Sequence, residues 1–259
     1  MRAATAVITP GAVCQKLFVP SAMPPPPGLH YVGTIVWSRC VSSVGSSRCV
    51  SVPAVLIRPF RAEDTDALYE VCLRTGDNGS DATAMYDDPR LLGHVHVGPY
   101  LALEPELAFV LADDSGAIGY VLGALEARAF ERRCEQSWWP TLRTRYPDPS
   151  FRAGWAGPDQ ATPDEQSAYQ IHHRWSVEAE IVDEYPSHLH IDLLPPGQGQ
   201  GYGRRMIDTL LAALVGRGSS GVHLGVRLAN RRAIGFYRRL GFEDVYRRPT
   251  AIVLGRRLI

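Results

Sequence analysis

The segment that most constrains the fold runs from His188 to Met206, where a short strand pattern passes through a glycine-rich turn into an amphipathic helix pattern. The turn spans Gln198 to Gly203 and has the sequence QGQGYG. The first N–H groups of a helix have no intrahelical acceptor, and the aligned peptide dipoles leave about half a positive charge there. Glycines let an anion approach the backbone because no Cβ intervenes. The segment therefore predicts a phosphate or pyrophosphate site at a helix N-terminus.

Two nucleotide-binding motifs are disfavoured at this turn. A phosphate-binding P-loop would end in Gly-Lys-Ser or Gly-Lys-Thr, which is absent, and the dinucleotide fingerprint requires a βαβ unit. Upstream, residues 107–112 and 117–124 form two apolar runs joined by Asp-Asp-Ser-Gly, which predicts an antiparallel hairpin instead. A nucleotide-binding protein stays open as a less favoured function.

A second motif lies downstream, where residues 230–242 have the sequence NRRAIGFYRRLGF. Together the two motifs resemble the GNAT N-acetyltransferase superfamily, whose signature Gln/Arg-x-x-Gly-x-Gly/Ala is matched by Gln198, Gly201 and Gly203. The second stretch is similar to the superfamily's Asn-x-x-Ala-x-x-Phe-Tyr-x-x-x-Gly-Phe. The resemblance covers roughly residues 55–259 and is strongest over residues 187–246. It implies acetyl-CoA as co-substrate and a primary amine as acceptor.

Three further stretches resemble a particular subfamily. They are Tyr-Pro-Ser at residues 185–187, before the fourth strand, the predicted strand at 221–224, and the apolar and basic stretch at 252–258. These stretches look like bacterial relatives of the acetyltransferase-like domain attached to O-GlcNAcase. Eukaryotic versions of that domain have a degenerate cofactor loop, whereas this sequence keeps the loop intact. Retention of acetyl-CoA binding is the implied consequence.

The pattern of elements predicts an α/β (α+β) fold with a mixed, mostly antiparallel twisted sheet flanked by helices. Residues 1–53 are rich in Pro, Ser, Gly and Val and hold no acidic residue, which predicts a disordered or peripheral extension. Residues 54–259 form the predicted acetyltransferase domain. Within it, residues 126–187 are predicted to be a Trp-rich insertion before the fourth strand, and residues 187–246 the acetyl-CoA-binding core.

The charge balance and the cysteine spacing limit the kinds of partner and cofactor that the sequence predicts. The 27 basic and 27 acidic residues balance, so neither nucleic acid nor an anionic membrane surface is indicated as a partner. No apolar run reaches the roughly 18 residues of a membrane-spanning helix, and no secretory signal pattern is present. The five cysteines show no metal-type spacing, so no metal and a reducing, cytoplasmic setting are expected.

The resemblance also implies roles for individual residues. Leu193 and Leu194 would offer backbone groups to the pantetheine arm and the thioester carbonyl. Residues from Gln198 to Arg204 would supply amides to the pyrophosphate, with Arg204 or Arg205 as a charged donor to a phosphate. Surface solvation is the alternative for both arginines. The implied cofactor-binding residues are Leu193, Leu194, Gln198, Gly199, Gln200, Gly201, Tyr202, Gly203, Arg204, Asn230 and Tyr237.

Tyr237 resembles the superfamily's tyrosine near the cofactor sulfur, where it would protonate the departing thiolate; a packing role in the core is the alternative. Asn230 is expected to cap a helix and, in the family role, to contact the pantetheine chain.

A protonated amine must lose its proton, and either Asp192 or His190 on the fourth strand is predicted to accept it. The general base, the acceptor amine and a possible homodimer stay open. A non-catalytic CoA-binding or protein-interaction module is the main alternative function.

Overall fold

The computed structural model describes residues 55–174 and 176–258. The predicted extension at residues 1–53 lies outside the described residues, as do Ala54, Trp175 and Ile259. Among the described residues, no helix is both long and apolar enough to cross a membrane.

In the part of the chain that the structure describes, seven strands form one sheet in the order β1-β2-β3-β4-β5-β7-β6. Every neighbouring pair is antiparallel except β4 and β5, which are parallel. The predicted mixed, mostly antiparallel sheet is therefore confirmed. The strands are β1 (Leu56–Pro59), β2 (Ala108–Asp113), β3 (Gly116–Ala124), β4 (Ser187–Leu193), β5 (Gly221–Arg227), β6 (Glu243–Arg247) and β7 (Ala251–Arg257).

Helices cover both faces of the sheet, as the α/β pattern predicts. Within the described ranges they are α1 (Thr65–Leu73), α2 (Leu91–His96), α3 (Gly98–Leu103), α4 (Ala127–Ser137), α5 (Trp139–Arg145), α6 (Pro163–His172), α7 (Ala179–Glu184), α8 (Tyr202–Val215) and α9 (Arg231–Arg239). Short 3₁₀ turns join several of them.

The two larger of the three hydrophobic clusters among the described residues follow from the alternation of side chains along β2 and β3. Leu111 and Val121 pack with α8, where Met206, Leu210 and Leu214 recur at helical spacing and are fully buried. Their strand neighbours, including Val110 and Leu122, face the opposite core with α1 to α3. The central strands are thus buried on both faces.

The β2–β3 hairpin forms where its turn residues predict it. The carboxylate of Asp113 accepts hydrogen bonds from the backbone N–H and the hydroxyl of Ser115, at 2.8 and 2.6 Å. Gly116 has a φ of +122°, a conformation that L-residues other than glycine rarely adopt.

The predicted Trp-rich segment folds as α4 to α7. Pro140 and Pro163 lie in the first turns of α5 and α6, where a missing N–H costs no helical hydrogen bond. Its status as an insertion, and the division of residues 54–259 into subregions, remain predictions.

β4 and β5 separate soon after they begin. Their pairing consists of Ser187 with Val222 and His188 with His223. Beyond these pairs β4 continues along β3 and β5 continues along β7, so a wedge opens between them. The candidate site lies at this wedge.

Candidate functional site

The backbone of β4 faces the wedge at Leu193. The N–H of Leu194 donates to the carbonyl of Ile118 at 2.8 Å, so the alternation of an antiparallel ladder turns the polar backbone groups of Leu193 away from β3 and towards β5. The Leu193 carbonyl accepts the side-chain amide of Gln198 at 2.7 Å. Gln198 therefore ties the loop to the end of β4.

The loop after β4 holds a run of open backbone amides. The amides of Gly197 and Gln198 donate to the carbonyls of Leu194 and Pro195, and the first bond at the start of α8 runs from Arg205 N–H to the Gly201 carbonyl. Within the described residues, the six amides from 199 to 204 donate to no protein acceptor. We call these six residues the amide loop.

Glycine is required at two positions of the amide loop. Gly199 and Gly201 have φ values of +74° and +81°, and both are exposed. At Gly203 the reason differs, because a Cβ would lie 3.1 Å from the ring of Phe236 and 3.4 Å from Leu193. The pattern QGQGYG thus encodes two left-handed turns and one close helix approach.

The charged side chains of the loop lie at its surface. Arg204 donates to the carbonyl of Arg239 at the end of α9, at 3.3 Å, and the Arg205 guanidinium carbon lies 5.4 Å from the centroid of the Tyr202 ring. Gln200 donates its side-chain amide to Pro196 at 3.0 Å. Both arginines are exposed.

α9 presents Asn230 and Tyr237 to the wedge. The side chain of Asn230 caps the helix by accepting the N–H of Ala233 at 3.0 Å, as predicted. Tyr237 is 7% exposed and packs edge-on against Phe236 and Phe242. Burial, with a smaller contribution from the Asp192 carboxylate, raises the pKa of Tyr237 above its ordinary value. Its hydroxyl stays protonated at neutral pH and makes no hydrogen bond to any described residue.

Four polar side chains converge opposite Tyr237. The Tyr120 hydroxyl donates to the Asp192 carboxylate at 2.6 Å and lies 3.1 Å from His190 Nε2. The same His190 nitrogen lies 3.1 Å from Asp192 Oδ2. Cys72, on α1, has its Sγ within 4.8 Å of these ligand-type atoms. We call Cys72, Tyr120, His190 and Asp192 the polar cluster.

Two cavities meet at the wedge. The smaller, of about 220 Å³, is lined by Asp192, Asn230 and Tyr237, so it joins residues that the sequence predicted separately. The larger, of about 750 Å³, is lined by residues of α4 and α5, including Phe130 and Trp139. His96, His190 and Gly225 border both cavities.

Burial affects the charge of His96 and His188, two histidines that line the larger cavity. The Tyr100 hydroxyl lies 2.6 Å from His188 Nδ1. Burial, with His223 nearby, lowers the pKa of His188 well below its ordinary value. Burial, followed by the adjacent His190, lowers the pKa of His96 to about 3. Both rings are therefore uncharged at neutral pH.

Sequence reasoning missed Cys72, Tyr100 and Tyr120. The only signal for Tyr120 was its place in the predicted hairpin strand, and the structure pairs it across the β3–β4 ladder with Asp192. For Cys72 and Tyr100 no local pattern pointed to the site, because both come from helices on one face of the sheet.

Comparison with known proteins identifies relatives of this chain. The profile of the Acetyltransferase (GNAT) family matches residues 167–242. The crystal structure of SsHAT is 40% identical and covers 79% of this chain and 98% of its own, with a TM-score of 0.71. The structure of PH1933 from Pyrococcus horikoshii OT3 shares the fold at 13% identity, with a TM-score of 0.50 and coverage of 78% and 98%.

Among curated proteins, the chain is similar to Protein O-GlcNAcase of Rattus norvegicus and of Mus musculus. Each is 28% identical over 207 residues, or 78% of this chain. The chain spans 22% of the length of either relative. The similarity is therefore confined to one portion of those longer proteins.

Proposed function

Because the chain belongs to the GNAT acetyltransferase family, we propose that it transfers an acetyl group from acetyl-CoA to a primary amine by direct attack. The observation that carries the proposal is the amide loop, six consecutive N–H groups that have no acceptor among the described residues and lie at the start of a 14-residue helix. Such a run of donors suits a pyrophosphate. Acetyl-CoA supplies an activated acetyl group as a thioester.

The wedge would accept the pantetheine arm. The polar backbone groups of Leu193 face β5 without a β4–β5 ladder beyond His188. Leu194 differs, since its N–H and carbonyl bond to Ile118 and Gly197. Leu193 is thus the better placed of the two for an extended chain lying in the wedge, and Asn230 borders the same cavity. A backbone N–H directed at the acetyl carbonyl would polarise it.

The loop side chains would have supporting roles. Gln198 already uses its own amide and its side chain within the protein, so its contribution is to fix the loop geometry. Gln200 and Tyr202 would contribute backbone amides. Arg204 or Arg205 would add a charged donor to a phosphate, at the expense of its present contact.

Tyr237 would protonate the departing thiolate. A proton donor must hold its proton at working pH, and the raised pKa of Tyr237 meets that condition. Its hydroxyl has no competing hydrogen-bond partner among the described residues. In this arrangement the proton passes from Tyr237 to sulfur as the carbon–sulfur bond breaks.

Asp192 would accept the proton that the amine loses, directly or through His190. The two side chains share one contact at 3.1 Å, and Tyr120 holds the carboxylate by a 2.6 Å hydrogen bond. His190 borders both cavities, so it lies between the thioester side and the space for an acceptor. The cluster therefore supplies a route for the proton to leave the reacting nitrogen.

The 750 Å³ cavity would receive the acceptor. It adjoins the smaller cavity at His190 and is walled by the predicted Trp-rich segment through Phe130 and Trp139. We also place the reaction in a reducing, cytoplasmic setting, since Cys72 and Cys134 are free, buried thiols.

Replacing Tyr237 by Phe tests the chemistry. Acetyl transfer to a panel of primary amines should fall about 10²-fold or more, the usual contribution of a positioned proton donor, while calorimetry gives unchanged CoA affinity. Tyr246→Phe on exposed β6 is the matched control and should keep full activity. Unchanged transfer by the Tyr237 variant would remove this residue from the mechanism. CoA binding without turnover by the unaltered protein would favour a non-catalytic module.

A further inference from the structure

We propose that the polar cluster is a binding site for a thiophilic divalent cation, with zinc as the probe, and that Cys72, His190 and Asp192 are its ligands. The three offer a sulfur, a nitrogen and an oxygen that all lie within 4.8 Å of one another. They come from α1 and β4, so the tertiary fold creates the arrangement.

The geometry is close to that of a tetrahedral zinc centre. Bonds of about 2.0–2.1 Å from zinc to nitrogen and oxygen place neighbouring ligand atoms roughly 3.3 Å apart. His190 Nε2 and Asp192 Oδ2 are 3.1 Å apart. A zinc–sulfur bond of about 2.3 Å places the sulfur roughly 3.6 Å from the other two ligand atoms. Because the three atoms lie within 4.8 Å of one another, the thiol has to approach by at most roughly 1.2 Å, a shift within reach of the half-buried His190 and Asp192 side chains.

The chemistry of the ligands selects the ion. Calcium and magnesium prefer oxygen ligands, whereas a thiolate with an imidazole favours zinc and its neighbours among the transition metals. A thiolate and a carboxylate carry two negative charges, which balance a divalent ion in a partly buried site.

The surroundings also fit a metal centre. The Tyr120 hydroxyl donates to Asp192 and would hold the carboxylate in place as an outer partner. All three ligands border the 220 Å³ cavity, which leaves a fourth position for water or a small ligand. The expectation of no metal rested on local cysteine spacing, which is blind to ligands brought together from distant elements.

A consequence for activity rests on the proposed function. An ion bound by His190 and Asp192 would occupy the groups that accept the amine proton, so zinc would inhibit acetyl transfer. The binding measurement below needs no turnover. Its failure is therefore distinguishable from failure of the proposed function.

Cobalt titration tests the site directly. The full chain would carry Ser in place of Cys14, Cys40 and Cys49, because any cysteine thiol is a potential ligand for cobalt. We expect one Co²⁺ per chain, with a near-ultraviolet thiolate-to-cobalt charge-transfer band that zinc displaces. Cys72→Ser should abolish the band and Cys134→Ser, at a second buried thiol, should keep it.

His190→Gln is a second test, because a folding defect in Cys72→Ser would also remove the charge-transfer band. This change should weaken zinc affinity by at least about 10-fold, since even outer partners of a metal contribute 10- to 100-fold, while the thermal melt stays cooperative. No cobalt absorption at millimolar metal, or a charge-transfer band that persists in Cys72→Ser, would overturn the proposal.

Discussion

The amide loop follows the end of β4, whereas the polar cluster uses side chains of β4 itself and of its neighbours, and the two are built in opposite ways. The loop offers backbone N–H groups from six consecutive residues, and its side chains are mostly exposed. The cluster offers side chains from α1, β3 and β4, two of which, Cys72 and Tyr120, are nearly or fully buried. A local stretch of sequence determines the first, and the tertiary packing determines the second.

Because of this difference, we expect the amide loop to determine the affinity for the cofactor and the polar cluster to determine the rate of acetyl transfer. Backbone amides at a helix start recognise an anion without regard to side-chain identity, so the loop tolerates changes that keep its conformation. The cluster holds a carboxylate and an imidazole at fixed positions, so single-atom changes there alter proton transfer. Variants of each region should therefore affect different quantities.

The largest effect is expected from Asp192→Asn. Loss of the carboxylate removes the proton acceptor and should lower the rate of acetyl transfer by about 10²- to 10⁴-fold. CoA affinity, measured by calorimetry, should stay within a factor of about 3, since the amide loop is intact. Asp208→Asn, on the exposed face of α8, is the control and should leave both quantities unchanged. A rate loss accompanied by an equal affinity loss would contradict the separation.

A smaller effect on rate, but a clear one on binding, is expected from Gly201→Ala. An L-residue in the left-handed region costs about 1–2 kcal/mol, and relief of that strain would turn the amides away from the phosphates. We expect CoA affinity to fall about 10-fold or more. Gly218→Ala is a matched control, because Gly218 has a φ of +85° with open space around it, in the turn after α8. Equal loss of affinity in both variants would show that strain alone, and not the amide loop, is responsible.

Acidification should affect the histidines beside the cluster and leave the loop unchanged. Folded His96 stays neutral down to about pH 3, whereas the unfolded chain takes up this proton near the ordinary pKa of 6.5. Stability therefore falls as the pH drops below 6.5, by up to about 2 kcal/mol at pH 5 for this residue. Thermal melts of His96→Gln should show a shallower loss between pH 7 and 5. If the melting temperature falls equally between pH 7 and 5 in the variant and in the unaltered protein, His96 is not the source of the loss of stability.

The glycine loop and its flanking elements were predictable because their signals are local. The strand pattern and the helix pattern predicted on the two sides of the QGQGYG turn correspond to β4 and α8. Gly199 and Gly201 adopt the positive φ values for which glycine is needed. The Asn230 cap followed from residue type alone, since Asn has a strong preference for that position.

Of the polar cluster, the sequence predicted His190 and Asp192 but not Tyr120 and Cys72. Alternation along β4 places His190 and Asp192 on one face, and the sequence supports that much. The contact with Tyr120 depends on the β3–β4 register, and the approach of Cys72 depends on how α1 packs on the sheet. Neither is encoded by spacing within a motif, because both arise from non-local pairing.

The central claim is that the amides of residues 199 to 204 bind the diphosphate of coenzyme A. Amide resonances of uniformly ¹⁵N-labelled protein, followed during titration with coenzyme A and separately with pantetheine, test it directly. We expect the resonances of Gly199, Gly201 and Gly203 to shift with coenzyme A and to remain nearly unchanged with pantetheine, which lacks the diphosphate. Saturation by coenzyme A with these resonances unmoved would contradict the account.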